Sequence, residues 1–314
     1  MADLNSIRVF LVAVISLFLI DKVTSVPGTP RAIREIFIGR CEDYKTGAIN
    51  KLADTAELSS KNCTELWELF SKAWVGRHAC DPVASDYKEF VDAAAITIPK
   101  DSVNFWDGWD IYDTVRAYSR EGQRSWTLDY TFIGYLINGY YFCGSETGDG
   151  INYDECPDDG GCGFGTGAAD AFWAQASIHF STAATGRGRV FFNSSRPGGA
   201  FQDEESFFAQ YELANLTPEK ISRMDIYVLS DVKQTPGEDC ESESIQKLKT
   251  ALKDKSIDYI CLDNPSEVFH QLCIDYDDHE DCAFLSDGST ITKPAILFST
   301  VVAMVTTRLM TQDS

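Results

Sequence analysis

An α/β fold with a parallel sheet is predicted by a change of period along the chain. From residue 30 to 120, apolar residues recur mainly at helical spacing. In the second half, short apolar runs of strand length take over, and two of them enclose an amphipathic helix. A strand, a helix and a strand of these lengths make a βαβ unit, which implies a parallel pair with a right-handed crossover.

The first segment, residues 1–25, reads as a secretory signal. Arg8 supplies its positive charge, Val9 to Ile20 is an apolar run broken only by Ser16, and Val23-Thr24-Ser25 gives a small-residue cleavage pattern, so the mature chain is expected to begin at Val26. The run falls short of the roughly 20 apolar residues of a membrane span. Ala32 to Ile38 then reads as helix. So does Ser60 to Trp74, with Leu66, Leu69, Phe70 and Trp74 on one stripe and Ser60 or Asn62 as cap. Asp86 to Ala95 and Ile111 to Tyr118 are similar, and Thr127 to Phe142 is a longer apolar helix candidate running into Cys143. Gly144 to Gly167, rich in Gly and Asp, reads as a stapled loop. Ala168 to Ala184 is helical again. Arg189–Phe192 and Met224–Leu229 read as buried strands. Ser244 to Lys253 is a helix facing inward with Ile245, Leu248, Ala251 and Leu252, and Ile257–Cys261 is the next strand. Ligands of such sheets sit beyond the carboxyl ends of the strands. The chain leaving one such end at Asn193 leads to Ser206–Glu212, a strand-like stretch.

Ten cysteines follow the signal, an even number on an oxidising route, so five disulfides are expected. No paired CxxC spacing exists and the four histidines are scattered, so no metal is expected. Asn62-Cys63-Thr64, Asn193-Ser194-Ser195 and Asn215-Leu216-Thr217 are glycosylation sequons. A formal charge of -21 argues against nucleic acid as a partner. Near the C-terminus, Ser286-Asp287-Gly288-Ser289 precedes a mostly apolar tail from Pro294 to Met310. This pattern suits a GPI-attachment signal in which residues 288–314 are removed, leaving 26–287 as the mature unit. An amphipathic terminal helix or a frayed tail is the alternative, since Thr306, Thr307 and Arg308 interrupt the run. The expected location is the cell surface or a vesicle lumen, lipid-anchored or else secreted; a homo-oligomer is left open.

Three short segments carry the chemistry: Phe105-Trp106, Phe172-Trp173 and Ser206-Phe207-Phe208-Ala209-Gln210-Tyr211-Glu212. Singly, an aromatic pair is usually core and a Glu usually solvated. Together they offer flat indole walls and a carboxylate, which suits a ligand with flat rings and a sugar bond to break.

With these pieces in order, the chain resembles the ADP-ribosyl cyclase / NAD glycohydrolase family over residues 33 to 285. The resemblance is carried by Phe105-Trp106-Asp107-Gly108, Trp126-Thr127-Leu128-Asp129-Tyr130-Thr131 with Gly134-Tyr135-Leu136, Cys143-Gly144, Cys156-Pro157, Phe172-Trp173 with Ser177, and Ser206 through Asn215-Leu216-Thr217. It implies a two-lobed fold, with a mainly helical lobe over about 30–142 and an α/β lobe with a small parallel sheet over about 168–285. It implies Glu212 as the catalytic carboxylate, Trp106 and Trp173 as walls that position substrate, Ser177 near the reacting ribose, and Asp129 as the acid that contacts nicotinamide. It also implies Phe207, Phe208 and Trp126 as substrate-binding residues. The implied disulfides are Cys41–Cys63, Cys80–Cys162, Cys143–Cys156, Cys240–Cys261 and Cys273–Cys282. The chain departs from the family's TLED motif, reading Thr127-Leu128-Asp129-Tyr130, and Asn138 stands where some relatives have an acid.

The implied chemistry fits the residues. Nicotinamide leaves a ribose carbon as a neutral pyridine, so the departure needs no general acid; the oxocarbenium-like ribosyl centre needs an opposing charge, which a buried carboxylate supplies. Adenine attack then gives cyclic ADP-ribose, a calcium-signalling nucleotide, and water gives ADP-ribose. NAD, and NADP as a second candidate, are substrates here and no cofactor is expected. The expected activity is an ADP-ribosyl cyclase with glycohydrolase and base-exchange side reactions; a predominant glycohydrolase and a non-catalytic surface receptor are the alternatives. A dinucleotide-binding dehydrogenase is excluded because no GxGxxG follows a strand; Gly160-Gly161-Cys162-Gly163-Phe164-Gly165 lies in the cysteine-stapled loop instead.

Overall fold

The computed structural model describes residues 25–121, 123–158, 161–204, 206–230, 237–275 and Cys282. Residues 1–24 of the expected signal and the whole C-terminal tail lie outside these residues.

Nine helices and six strands are described: β1 (Ser25–Pro27), α1 (Ile33–Lys45), α2 (Thr55–Ser59), α3 (Cys63–Lys72), α4 (Lys88–Ala94), β2 (Val103–Asp107), α5 (Tyr112–Arg116), α6 (Phe132–Tyr135), β3 (Glu155–Pro157), α7 (Ala168–Ala183), β4 (Gly186–Asn193), β5 (Ile221–Leu229), α8 (Glu243–Asp254), β6 (Asp258–Asp263) and α9 (Ser266–Asp275). The main sheet has the order β2-β4-β5-β6 and every neighbouring pair is parallel. The expected βαβ unit is β5-α8-β6.

Strand β2 departs from the helical reading of the first half. Its Phe105 and Trp106 lie in an edge strand paired with β4, with Trp106 opposite Phe191. Asn104 and Asp107 hide the strand signature, because both are polar yet buried. The Asn104 amide is accommodated by donating to the Ser119 hydroxyl at 2.7 Å. The stretch Thr127–Phe142 also departs from expectation. It forms a 3-10 turn at Leu128–Tyr130 and only a four-residue helix, α6. Thr131 caps a new start by accepting from the Gly134 amide, and Gly139 takes a positive φ of 80° that ends the segment. Residues Phe208–Glu212 form a helical turn of π type rather than a strand.

Strand alternation divides the sheet's contacts between two cores. Phe105, Val190, Phe192, Ile226 and Val228 join the larger core with α7 and α8, whereas Phe191, Tyr227 and Leu229 join a smaller one with residues of α5 and α9. The helical lobe is centred on aromatics: the Phe70 ring lies 5.0 Å from Phe142 and 5.7 Å from Phe172. Asn62, not Ser60, caps α3, its side chain accepting from Thr64 and Glu65 amides.

Five disulfides join Cys41–Cys63, Cys80–Cys162, Cys143–Cys156, Cys240–Cys261 and Cys273–Cys282. These are the pairs that the resemblance implies. Among the sequons, Asn62 is exposed and Asn215 half-buried. Asn193 is only 5% exposed at the end of β4, and its side-chain oxygen accepts from the Ser195 amide. Of the three sequon asparagines, Asn193 is therefore the least accessible.

Candidate active site

Glu212 lies in the crossover from β4 to β5, in the turn packed on α7 and β2. Phe208 sets this turn by inserting into the core, with its ring 5.9 Å from Phe105 on β2 and 5.9 Å from Phe192 on β4. One helical turn further on, Glu212 is 4% exposed. Ser177, one turn after Trp173 on α7, donates its hydroxyl to Glu212 Oε1 at 3.2 Å. The carboxyl pKa is pushed up from 4.5 to about 8. Burial is the main cause, partly opposed by the Ser177 hydrogen bond and reinforced by the negative charge of Asp107.

Asp107 is a site residue to which the sequence reading gave no role. As the last residue of β2 it shares a face with Phe105, towards the Glu212 turn. Its Oδ1 lies 2.7 Å from Arg196 Nη1, and its Oδ2 accepts from the Gln202 amide at 3.3 Å. Ser206 also hydrogen-bonds to it; burial nevertheless holds its carboxyl above the usual range, against the pull of Arg196. Asp107 and Arg196 therefore tie the β4–β5 crossover to β2. Gly108 gives the guanidinium its space, since a Cβ there would stand 3.1 Å from Arg196 Cζ at a φ of 93°.

Trp106 faces the other way, its ring 5.6 Å from Tyr112. Tyr112 donates its hydroxyl to Asp129 Oδ2 at 2.9 Å, and the Asn138 amide reaches the same oxygen at 3.5 Å. Burial and the adjacent Asp129 charge push the Tyr112 phenol up to about 12, so it remains a donor. Asp129 Oδ1 is buried without a hydrogen-bond partner. Tyr112 and Asn138 are thus further site residues, and only their proximity to Asp129 in the fold reveals the first of them.

Trp106 and Trp173 are half-buried on different elements. Phe207 is also half-buried, packed 5.2 Å from Tyr211. Two expected substrate-binding residues are placed differently. Phe208 is 1% exposed and Trp126 0%, so neither presents a surface to a ligand. Phe208 anchors the Glu212 turn, and the Trp126 backbone extends the edge of β2 through its bonds to Ser102 and Asn104.

A buried Glu212 in the crossover of a parallel sheet, hydrogen-bonded by Ser177 and acted on by the neighbouring buried Asp107, marks the candidate site of an α/β enzyme. A family model described as ADP-ribosyl cyclase matches residues 30–282, and the chain belongs to that family. It is 32% identical over 252 residues to the ADP-ribosyl cyclase/cyclic ADP-ribose hydrolase of Aplysia californica, covering 80% of this chain and 86% of that protein. It is 31% identical to the human ADP-ribosyl cyclase/cyclic ADP-ribose hydrolase 2, covering 85% and 80%. Among solved structures, Aplysia cyclase complexed with substrate NGD and product cGDPR superposes with a TM-score of 0.72 at 31% identity, covering 82% of this chain and 99% of that one. Porcine CD38 with a covalent intermediate superposes with a TM-score of 0.68 at 27% identity, covering 76% and 98%.

Proposed function

We propose that this chain cleaves the nicotinamide–ribose bond of NAD and partitions the ribosyl intermediate between cyclic ADP-ribose and ADP-ribose, with cyclisation a major route. The observation that carries this is Glu212, buried and held by Ser177 at 3.2 Å. The glycosidic bond breaks with its electron pair passing to the pyridinium nitrogen, so nicotinamide leaves neutral. The ribosyl carbon becomes oxocarbenium-like, and the Glu212 carboxylate opposes its charge in a partly dry site. Ser177 holds the carboxylate in place. An adenine ring nitrogen closing on that carbon gives the cyclic product; water gives ADP-ribose and a proton. Before substrate binds, the raised pKa keeps Glu212 mostly protonated at neutral pH. A bound pyridinium cation favours its ionised form, so substrate itself readies the carboxylate.

Trp106 and Trp173 are assigned to stacking on the flat rings. Asp129 is assigned to the nicotinamide carboxamide, whose N–H donors match its unpartnered Oδ1. Phe207 is assigned to folding the adenine over the ribose and excluding water. NAD is consumed as a substrate, and NADP is a second candidate. Chromatographic separation of nicotinamide, cyclic ADP-ribose and ADP-ribose after incubation of purified protein with NAD tests the reading; absence of nicotinamide release overturns it.

Five disulfides support an oxidising, secretory route for the chain. We further propose cleavage after Ser25, a mature unit of residues 26–287 and a GPI anchor replacing 288–314. Release from cells by a phosphatidylinositol-specific lipase checks the anchor, and recovery of a mature chain ending at Ser314 refutes it.

A further inference from the structure

The glycine-rich run Gly161-Cys162-Gly163-Phe164-Gly165 is not a phosphate loop, yet it delivers one large apolar side chain to the neighbourhood of Glu212. Phe164 is 42% exposed. Its ring is stacked on Tyr211 at 5.9 Å with an interplanar angle of 6°, and lies 5.1 Å from the Phe207 ring. Phe207 immediately precedes the Glu212 turn and Tyr211 lies within it, their ring centroids 5.2 Å apart. The three rings therefore form one aromatic cluster bordering the catalytic turn, with Phe164 its most solvent-facing member.

The loop that carries Phe164 is built to hold it there. Cys162 is tied to Cys80. The Thr166 hydroxyl donates to the Cys162 carbonyl at 2.7 Å, and the Gly167 amide donates to the Pro82 carbonyl at 3.0 Å. Gly165 has a φ of 69°, and a Cβ there would fall 1.7 Å from the Tyr211 hydroxyl. Only glycine lets the loop close on Tyr211, so the contact between loop and catalytic turn is written into the sequence. A large exposed ring kept by such a closure gains little from water, and its stacked partner adjoins the catalytic residue. Flat aromatic faces of this kind take flat heterocycles by stacking.

We propose that Phe164 is a specificity-determining residue: with Phe207 and Tyr211 it forms the platform that seats the purine end of the dinucleotide, and so governs both substrate affinity and the share of product that cyclises. The inference rests on the NAD-cleaving reading above. Because Phe164 touches the purine and not the scissile bond, its loss acts on binding and partition while leaving bond cleavage intact.

The test is steady-state kinetics and product analysis of the purified protein and its Phe164→Ala and Phe164→Leu variants with NAD. Phe164→Ala is expected to raise KM about tenfold, the loss typical of one base–aromatic stack, and to raise the ADP-ribose share. Its kcat for nicotinamide release should stay within about twofold of wild type. Phe164→Leu, which keeps bulk without a flat face, should fall between the two. A fall in kcat with KM and partition unchanged would show that the ring merely props the Glu212 turn, and overturns the proposal. So does a Phe164→Ala enzyme indistinguishable from wild type. Failure of the wild type itself to release nicotinamide defeats the underlying reading instead.

Discussion

The Ser177 hydroxyl donates to Glu212 Oε1 across 3.2 Å, joining a helix to a turn 35 residues further along the chain. Among the described residues, this contact is the one hydrogen bond that favours the ionised form of an otherwise raised carboxyl. Removing it in Ser177→Ala should move the Glu212 pKa above about 8. The rising limb of kcat/KM against pH, which reports the free enzyme, should shift to higher pH by about one unit, as for loss of a bond to a charged group. An unshifted limb would separate Ser177 from the carboxylate's titration.

The wild-type limb itself is a prediction. Glu212 must be ionised to oppose the ribosyl cation, so kcat/KM for NAD should climb through about pH 8. Stopped assays between pH 5 and about 9, on a folded-state check by circular dichroism, measure it. A profile flat across neutrality would place the titration elsewhere.

Glu212→Gln should lose on the order of 10²-fold or more in turnover, since it removes the charge and keeps the shape. Stability should move the other way. The folded-state pKa is raised, so the wild type is stabilised below the ordinary carboxyl value of 4.5 and loses that advantage as pH climbs towards about 8. The melting-temperature gain of Glu212→Gln over wild type should therefore be small in acid and grow across that window. Thermal melts at several pH values decide it.

Asp107→Asn should shift the pH limb downwards, opposite to Ser177→Ala, because Asp107 raises the Glu212 pKa. It should also destabilise the protein by about 3 kcal/mol, leaving the part-buried Arg196 without its counter-charge. Urea melts alongside the pH profile separate the two effects.

Phe207→Thr should raise the ADP-ribose share without abolishing nicotinamide release, and Asp129→Glu should do so more weakly. Product ratios at equal nicotinamide release give the answer. An unmodified enzyme yielding almost only ADP-ribose would remove the role assigned to Phe207.

The helical lobe, the β5-α8-β6 unit and the motif residues were legible because they rest on local periodicity and on side chains quoted in order. Strand β2 was not, since Asn104 and Asp107 spoil its alternation and find their partners outside the strand, Asn104 in Ser119 and Ser125 and Asp107 in Arg196 and the Gln202 amide. Phe208 and Trp126 were read as ligand contacts because aromatic identity says nothing of which side of a turn faces the core. The buried state of Asn193 is equally invisible in its sequon.

By itself the sequence determined the α/β class and the cysteine complement and singled out Glu212 as the candidate carboxylate, because composition, period and motif order are properties of the chain alone. The tertiary structure decided what surrounds that carboxylate. Ser177 arrives from α7, Asp107 from an edge strand and Phe164 from a disulfide-closed loop. Burial and the fields of neighbours depend on distances through space, and no local pattern encodes them.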